Sequence, residues 1–123
     1  MKSPIVIHVK TEYLPGSSNP AQQRFAFAYH ISITNMGNEP AQLLNRYWLI
    51  SDANGKVSEV SGAGVVGKQP HIGVGETYEY SSGAILDTPV GSMQGYYEMQ
   101  RPDGERFQAP IAIFRLAVPN LIN

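Results

Sequence analysis

The most pointed spacing in the chain is Gly62-Ala63-Gly64-Val65-Val66-Gly67, with Lys68 and His71 just beyond it. Glycines spelled G-x-G-x-x-G hold a pyrophosphate when they close a strand and open a helix whose amino end faces the phosphate. Here Pro70 and Gly73 follow closely, which argues against a long helix. The strand before the glycines belongs to a hairpin rather than to a parallel crossover, so the dinucleotide-binding reading fails its own context test. Two readings stay open. In one, the glycines only permit positive φ and a tight path across a sheet edge. In the other, the loop amides, with Lys68 and His71, form an anion-binding nest, which needs local backbone and no helix. The candidate ligand-binding residues are therefore Gly62, Gly64, Gly67, Lys68 and His71.

Other constellations are thinner. His8, His30 and His71 are the histidines of the chain. His8 and His30 fall on the polar faces of two stretches that could be neighbouring strands, where Glu12 could join them around a metal ion. Metal sites usually need about three or four convergent ligands, so both are read as solvated side chains and no metal site is assigned. Ser61, Ser81, Ser82 and Ser92 lack the G-x-S-x-G elbow of a serine hydrolase, and Ser81-Ser82-Gly83 reads as a strand end. Asp87, Asp103 and Glu105 sit in turns, where short polar side chains cap backbone groups. No catalytic residue and no cofactor is assigned, and the chain is read as not an enzyme. Tyr78/Tyr80 and Tyr96/Tyr97 could offer an aromatic patch to a protein. Burial of at least one of each pair is the simpler expectation.

The elements that must position these residues follow from composition and period. The 123 residues suit one domain, 1–123. There is no cysteine and the net charge is −1, from nine basic and ten acidic side chains. This leaves no disulfide or thiolate chemistry and argues against a nucleic-acid footprint. No run of about 18 apolar residues occurs, so no membrane insertion is expected. The opening Met1-Lys2-Ser3-Pro4 does not read as a signal peptide, and a cytoplasmic location is expected.

Alternation with period two dominates the sequence. Ile5, Ile7 and Val9 share a face, as do Phe25, Phe27, Tyr29, Ile31 and Ile33. In the next strand Leu43, Tyr47 and Leu49 are expected on one side, and Leu44, Arg46, Trp48 and Ile50 on the other. Asn54-Gly55 is a strong hairpin signal that returns the chain through Lys56 to Val60. A long loop is expected from Ser61 to Gly75, a strand from Thr77 to Ser81, and a final pair from Met93 to Gln100 and Arg106 to Leu116. Pro110 belongs at an edge or a bulge. Short strands without intervening helices predict an all-β fold: an antiparallel immunoglobulin- or fibronectin-III-like β-sandwich of seven to eight strands.

The runs Arg46-Tyr47-Trp48-Leu49-Ile50-Ser51-Asp52, Val60 to Gly67, Pro70-His71-Ile72, Tyr78 to Gly83, Gly91-Ser92-Met93-Gln94-Gly95 and Ile113-Phe114-Arg115-Leu116 together resemble the ApaG family. The resemblance covers nearly the whole chain, and it implies a fibronectin-type-III-like sandwich. It also implies an association with cobalt resistance and magnesium efflux, without a defined mechanism. Similar eukaryotic domains, attached to an F-box protein and a polymerase-delta-interacting protein, look like protein-recognition modules. The leading expectation is a non-enzymatic module for an unknown protein partner, contacting it through the Ser61–Gly75 loop and nearby tyrosines. The alternative is a small-ligand sensor or enzyme, taking a nucleotide or pyrophosphate on Gly62–Gly67 with Lys68. A homodimer through an edge strand is a further expectation.

Overall fold

The strand β2 (Phe25–Asn35) sets the pattern of the molecule. Phe27, Tyr29, Ile31 and Ile33 point inward and are buried, while His30 on the other face is exposed. A strand patterned this way must lay its apolar face on a second sheet. The computed structural model, which describes residues 3–120, shows that arrangement. Met1 and Lys2, part of the opening stretch considered above, lie outside the described residues.

Three strands form one antiparallel sheet in the order β1 (Ile5–Tyr13), β2, β6 (Thr77–Leu86). The other sheet runs β4 (Val57–Ala63), β3 (Ala41–Asp52), β7 (Val90–Gln100), β8 (Arg106–Ala117), and the short β5 (His71–Ile72) also pairs with β3. The facing surfaces enclose a single core. Trp48 sits at its centre, edge-on to Tyr29, Tyr97 and Phe114 at centroid distances of 5.5, 6.3 and 5.8 Å. Its indole Nε1 has no hydrogen-bond partner among the described residues. The expected β-sandwich is thus present, with eight strands among the described residues.

Several local expectations are corrected. In β3 the register with β7 slips between Leu43 and Asn45. The extra residue turns Leu43 into the core with Trp48, so Leu43 does not share a face with Tyr47. A second slip, between Met93 and Gly95 of β7, lets Ile111 and Phe114 both pack inward while Ile113 is left exposed. Pro110 lies beside it on the edge strand β8, where its missing donor is harmless. Ser81-Ser82-Gly83 is not a strand end, because β6 continues to Leu86, paired residue by residue with β2. The expected long loop after Ser61 is also shorter: β4 runs to Ala63, and β5 resumes pairing with β3 at His71.

Candidate functional site

The glycine-rich segment is an excursion from a sheet edge. β4 and β5 run along the same side of β3, opposite its residues 45–51 and 41–42. The chain leaves this line after Ala63 and rejoins it at His71. Both ends of the excursion are pinned to β3: the Gly64 N–H donates to Leu44 O (2.8 Å), and the Leu43 N–H donates to Pro70 O (3.0 Å). The Gln69 side chain donates to the same Leu44 carbonyl at 2.9 Å.

Within the excursion, Val65 and Lys68 exchange both backbone hydrogen bonds, at 2.8 and 3.0 Å. The two residues between them, Val66 and Gly67, have φ of 48° and 77°. Positive φ at both central positions defines a type I′ turn. Val65 is fully buried and anchors the turn in the core, while Val66 at the tip is 64% exposed.

Arg46 is the residue that holds this turn in place. It lies on β3 opposite Gly62 and Tyr97. Its Nη1 donates to the carbonyls of Ala63 and Gly64, both at 3.0 Å. Gly62 lies flat against the guanidinium, and a Cβ there would come within 3.1 Å of Nη1. Gly64 has φ of 64°, and a Cβ there would collide with the Lys68 carbonyl. Each motif glycine therefore has its own steric duty: Gly62 admits Arg46, Gly64 lets the turn fold back, and Gly67 supplies the second positive φ. Behind Arg46 the hydroxyls of Tyr80 and Tyr97 share a 2.5 Å hydrogen bond. Burial pushes both hydroxyls well above the usual tyrosine range, so the pair keeps its protons, and the Arg46 charge partly offsets the rise at Tyr80.

Of the five candidate residues, Gly64, Gly67 and Lys68 lie in the excursion, and Gly62 and His71 lie in the strands that flank it; the bonded amides of the excursion do not point to an open site. Those of Gly64, Val65 and Lys68 donate to the carbonyls of Leu44, Lys68 and Val65. The Lys68 and His71 side chains are exposed. Next to the excursion, the outer face of the larger sheet carries an open groove of about 480 Å³ bordered by Arg46, Gly62, Ala63, Tyr47, Tyr96 and Glu98. Tyr47 and Tyr96 stack on its floor, centroids 5.1 Å apart and planes 27° apart. The Tyr47 hydroxyl donates to Glu59 at 2.8 Å, a bond that raises its pKa. Tyr97 is buried as expected of one member of its pair, whereas Tyr78 and Tyr80 are both only half-buried against the core.

His8 and His30 do lie on neighbouring strands and the same exposed face. Among the described residues no three His, Asp or Glu side chains are grouped closely enough to share a metal ion. Among them, too, no helix is long and apolar enough to cross a membrane. Sequence reasoning missed Arg46 because its role depends on cross-strand register, which no local spacing announces.

Comparison with known proteins places this architecture. A family model described as the ApaG domain matches residues 15–101. Protein ApaG of Enterobacter sp. (strain 638) is 50% identical over 119 residues, covering 97% of this chain and 95% of its own. Protein ApaG of Aromatoleum aromaticum is also 50% identical over 119 residues, covering 97% and 94%. A crystal structure described as an ApaA protein from Bordetella pertussis superposes with a TM-score of 0.92 at 45% identity, covering 98% of this chain and all of that one. With a family model spanning most of the sequence and relatives at half identity along nearly its full length, the chain belongs to the ApaG family.

Proposed function

We propose that the protein is a non-enzymatic recognition module that docks a protein partner on the Val65–Lys68 turn and the Tyr47–Tyr96 floor beside it. One observation carries this reading: Val66, a β-branched residue, sits at φ 48° and is 64% exposed. A β-branched side chain in the left-handed region is costly, and asparagine or glycine is the ordinary occupant of such a turn. Strain of this kind persists where the surroundings over-determine it, and it gathers at functional positions. Here it presents an apolar side chain to solvent on a backbone pinned at both ends, so a partner meets a pre-organised contact. The stacked tyrosines supply the aromatic anchor that protein interfaces favour.

On this reading, the cobalt and magnesium phenotypes implied by the family resemblance arise through a partner protein. The cysteine-free sequence suits work in the reducing cytoplasm. The test is quantitative co-purification of the tagged chain from its native lysate beside Val66→Asn. The variant is expected to melt no lower than the parent and to lose the specifically retained proteins. An unchanged set of retained proteins would sink the reading.

A further inference from the structure

The exposed face of the smaller sheet holds a second constellation that owes nothing to the glycine turn. His30 on β2 and Ser81 on β6 are direct cross-strand partners. His30 Nδ1 lies 2.5 Å from Ser81 Oγ, and its Nε2 lies 3.3 Å from Glu12 Oε1 on β1. An ionised carboxylate can only accept, so Nε2 carries the imidazole proton. In the neutral imidazole Nδ1 is then the acceptor, and the Ser81 hydroxyl donates to it. The order acid, imidazole, hydroxyl is the one that activates a serine nucleophile, and such sets are recognised by geometry and role rather than by sequence motif.

Neighbouring rows of the same face lack this order. Ser32 meets Glu79 at 3.1 Å, and Thr34 meets Thr77 at 2.8 Å; both are two-membered polar pairs. His30 and Ser81 border an open groove of about 360 Å³ that also takes in His8, Lys10, Ser32 and Glu79. Lys10 is paired directly opposite His30 and brings a positive charge to the same row.

The backbone leaves the serine's own amide facing the sheet edge. β6 is the edge of its sheet, paired with β2 alone. The Asn35 N–H donates to Glu76 O, and bonded and non-bonded pairs alternate along an antiparallel ladder. Counting along the register from Asn35 makes Tyr78, Tyr80 and Ser82 the bonded residues of β6 and turns the Ser81 N–H toward the open edge. The nucleophile's own amide is one of the donors that serine hydrolases use.

We propose that Ser81 is an activated nucleophile that accepts an acyl group from activated esters or thioesters, with His30 as its base and Glu12 as the residue that positions the imidazole. Ser81 Oγ bonds to the acyl carbon as its proton passes to His30 Nδ1. The carbonyl electron pair moves onto oxygen beside the Ser81 N–H. It then re-forms the double bond and expels a phenolate or thiolate, which takes the proton from His30. The products are O-acyl-Ser81 and a free phenol or thiol.

The test is incubation of the full chain with p-nitrophenyl acetate. The expected result is release of nitrophenol with one acetyl group recovered on the peptide that carries Ser81. Ser81→Ala, which removes a single exposed hydroxyl, abolishes that release. His30→Gln slows it about 100-fold and flattens its rise with pH, and Glu12→Gln shifts the pH profile while leaving Ser81 as the acceptor. Circular dichroism verifies that the variants fold. Acetyl recovered on lysines or on other serines with Ser81 unmodified, or an unchanged rate in His30→Gln, would overturn the proposal. The recognition surface lies on the other sheet, so its own test stands or falls separately.

Discussion

Two tight turns on the same strand invite comparison. The β3–β4 turn carries Asn54-Gly55, and the excursion beyond β4 carries Val66-Gly67. By sequence the first is the better candidate for a type I′ hairpin. It forms something else. Asn54 is not at positive φ; Gly55 is, at 82°. The Asp52 N–H donates to Lys56 O at 2.9 Å, the Gly55 N–H reaches Asp52 O at 3.3 Å, and Asp52 Oδ1 accepts from the amides of Asn54 and Lys56, both at 2.9 Å. That is a three-residue loop closing on a left-handed glycine, satisfied by its own side chain. The Val66-Gly67 turn takes the I′ form with the wrong residue at its tip. It is held from outside, by Val65 in the core and by Arg46 and Gln69 on its carbonyl and strand partners. One turn is written in its own residues; the other is imposed by its neighbours.

That contrast can be broken or sharpened by substitution. Gly64→Ala should have the largest effect, destabilising the fold by about 3 kcal/mol, from a left-handed β-carbon plus a clash with the Lys68 carbonyl. Chemical denaturation would measure it. Arg46→Ala should cost about 2 kcal/mol by leaving the Ala63 and Gly64 carbonyls without their charged donor, and amide exchange at residues 64–69 should quicken while that at 53–56 does not. Gly55→Ala should cost about 1 kcal/mol, since the φ penalty acts alone and no atom lies within 4 Å of the new Cβ. Val66→Asn should run the other way, raising stability by about 0.5–1 kcal/mol as strain is released. Its melting temperature would show this. If Val66→Asn destabilised the fold while Gly55→Ala did not, the two turns would have to exchange roles.

How much of this could be read beforehand depended on whether the information was local. The face of β2 was legible because alternation there is unbroken from Phe25 to Ile33. The face of β3 was not, because a bulge near Leu44 reverses the parity and no residue type announces it. By sequence Ser81 reads as a strand end, because Ser82 and Gly83 are poor strand formers; pairing with β2 overrides that preference. The glycine motif was visible as spelling. Its duties became clear only when Arg46 and Lys68 were placed against it, and the Glu12–His30–Ser81 order needed three strands in register before it existed at all.

The way β4 and β5 share one flank of β3 has a further consequence. Because the chain departs after Ala63 and returns at His71 to the same track, the stretch between behaves as a cassette. Its outer residues, Val66 and Lys68, can be rewritten while the surrounding strand register stays where it was. A grafting experiment that swaps only these tip residues between relatives would therefore test the proposed docking surface without asking the scaffold to refold.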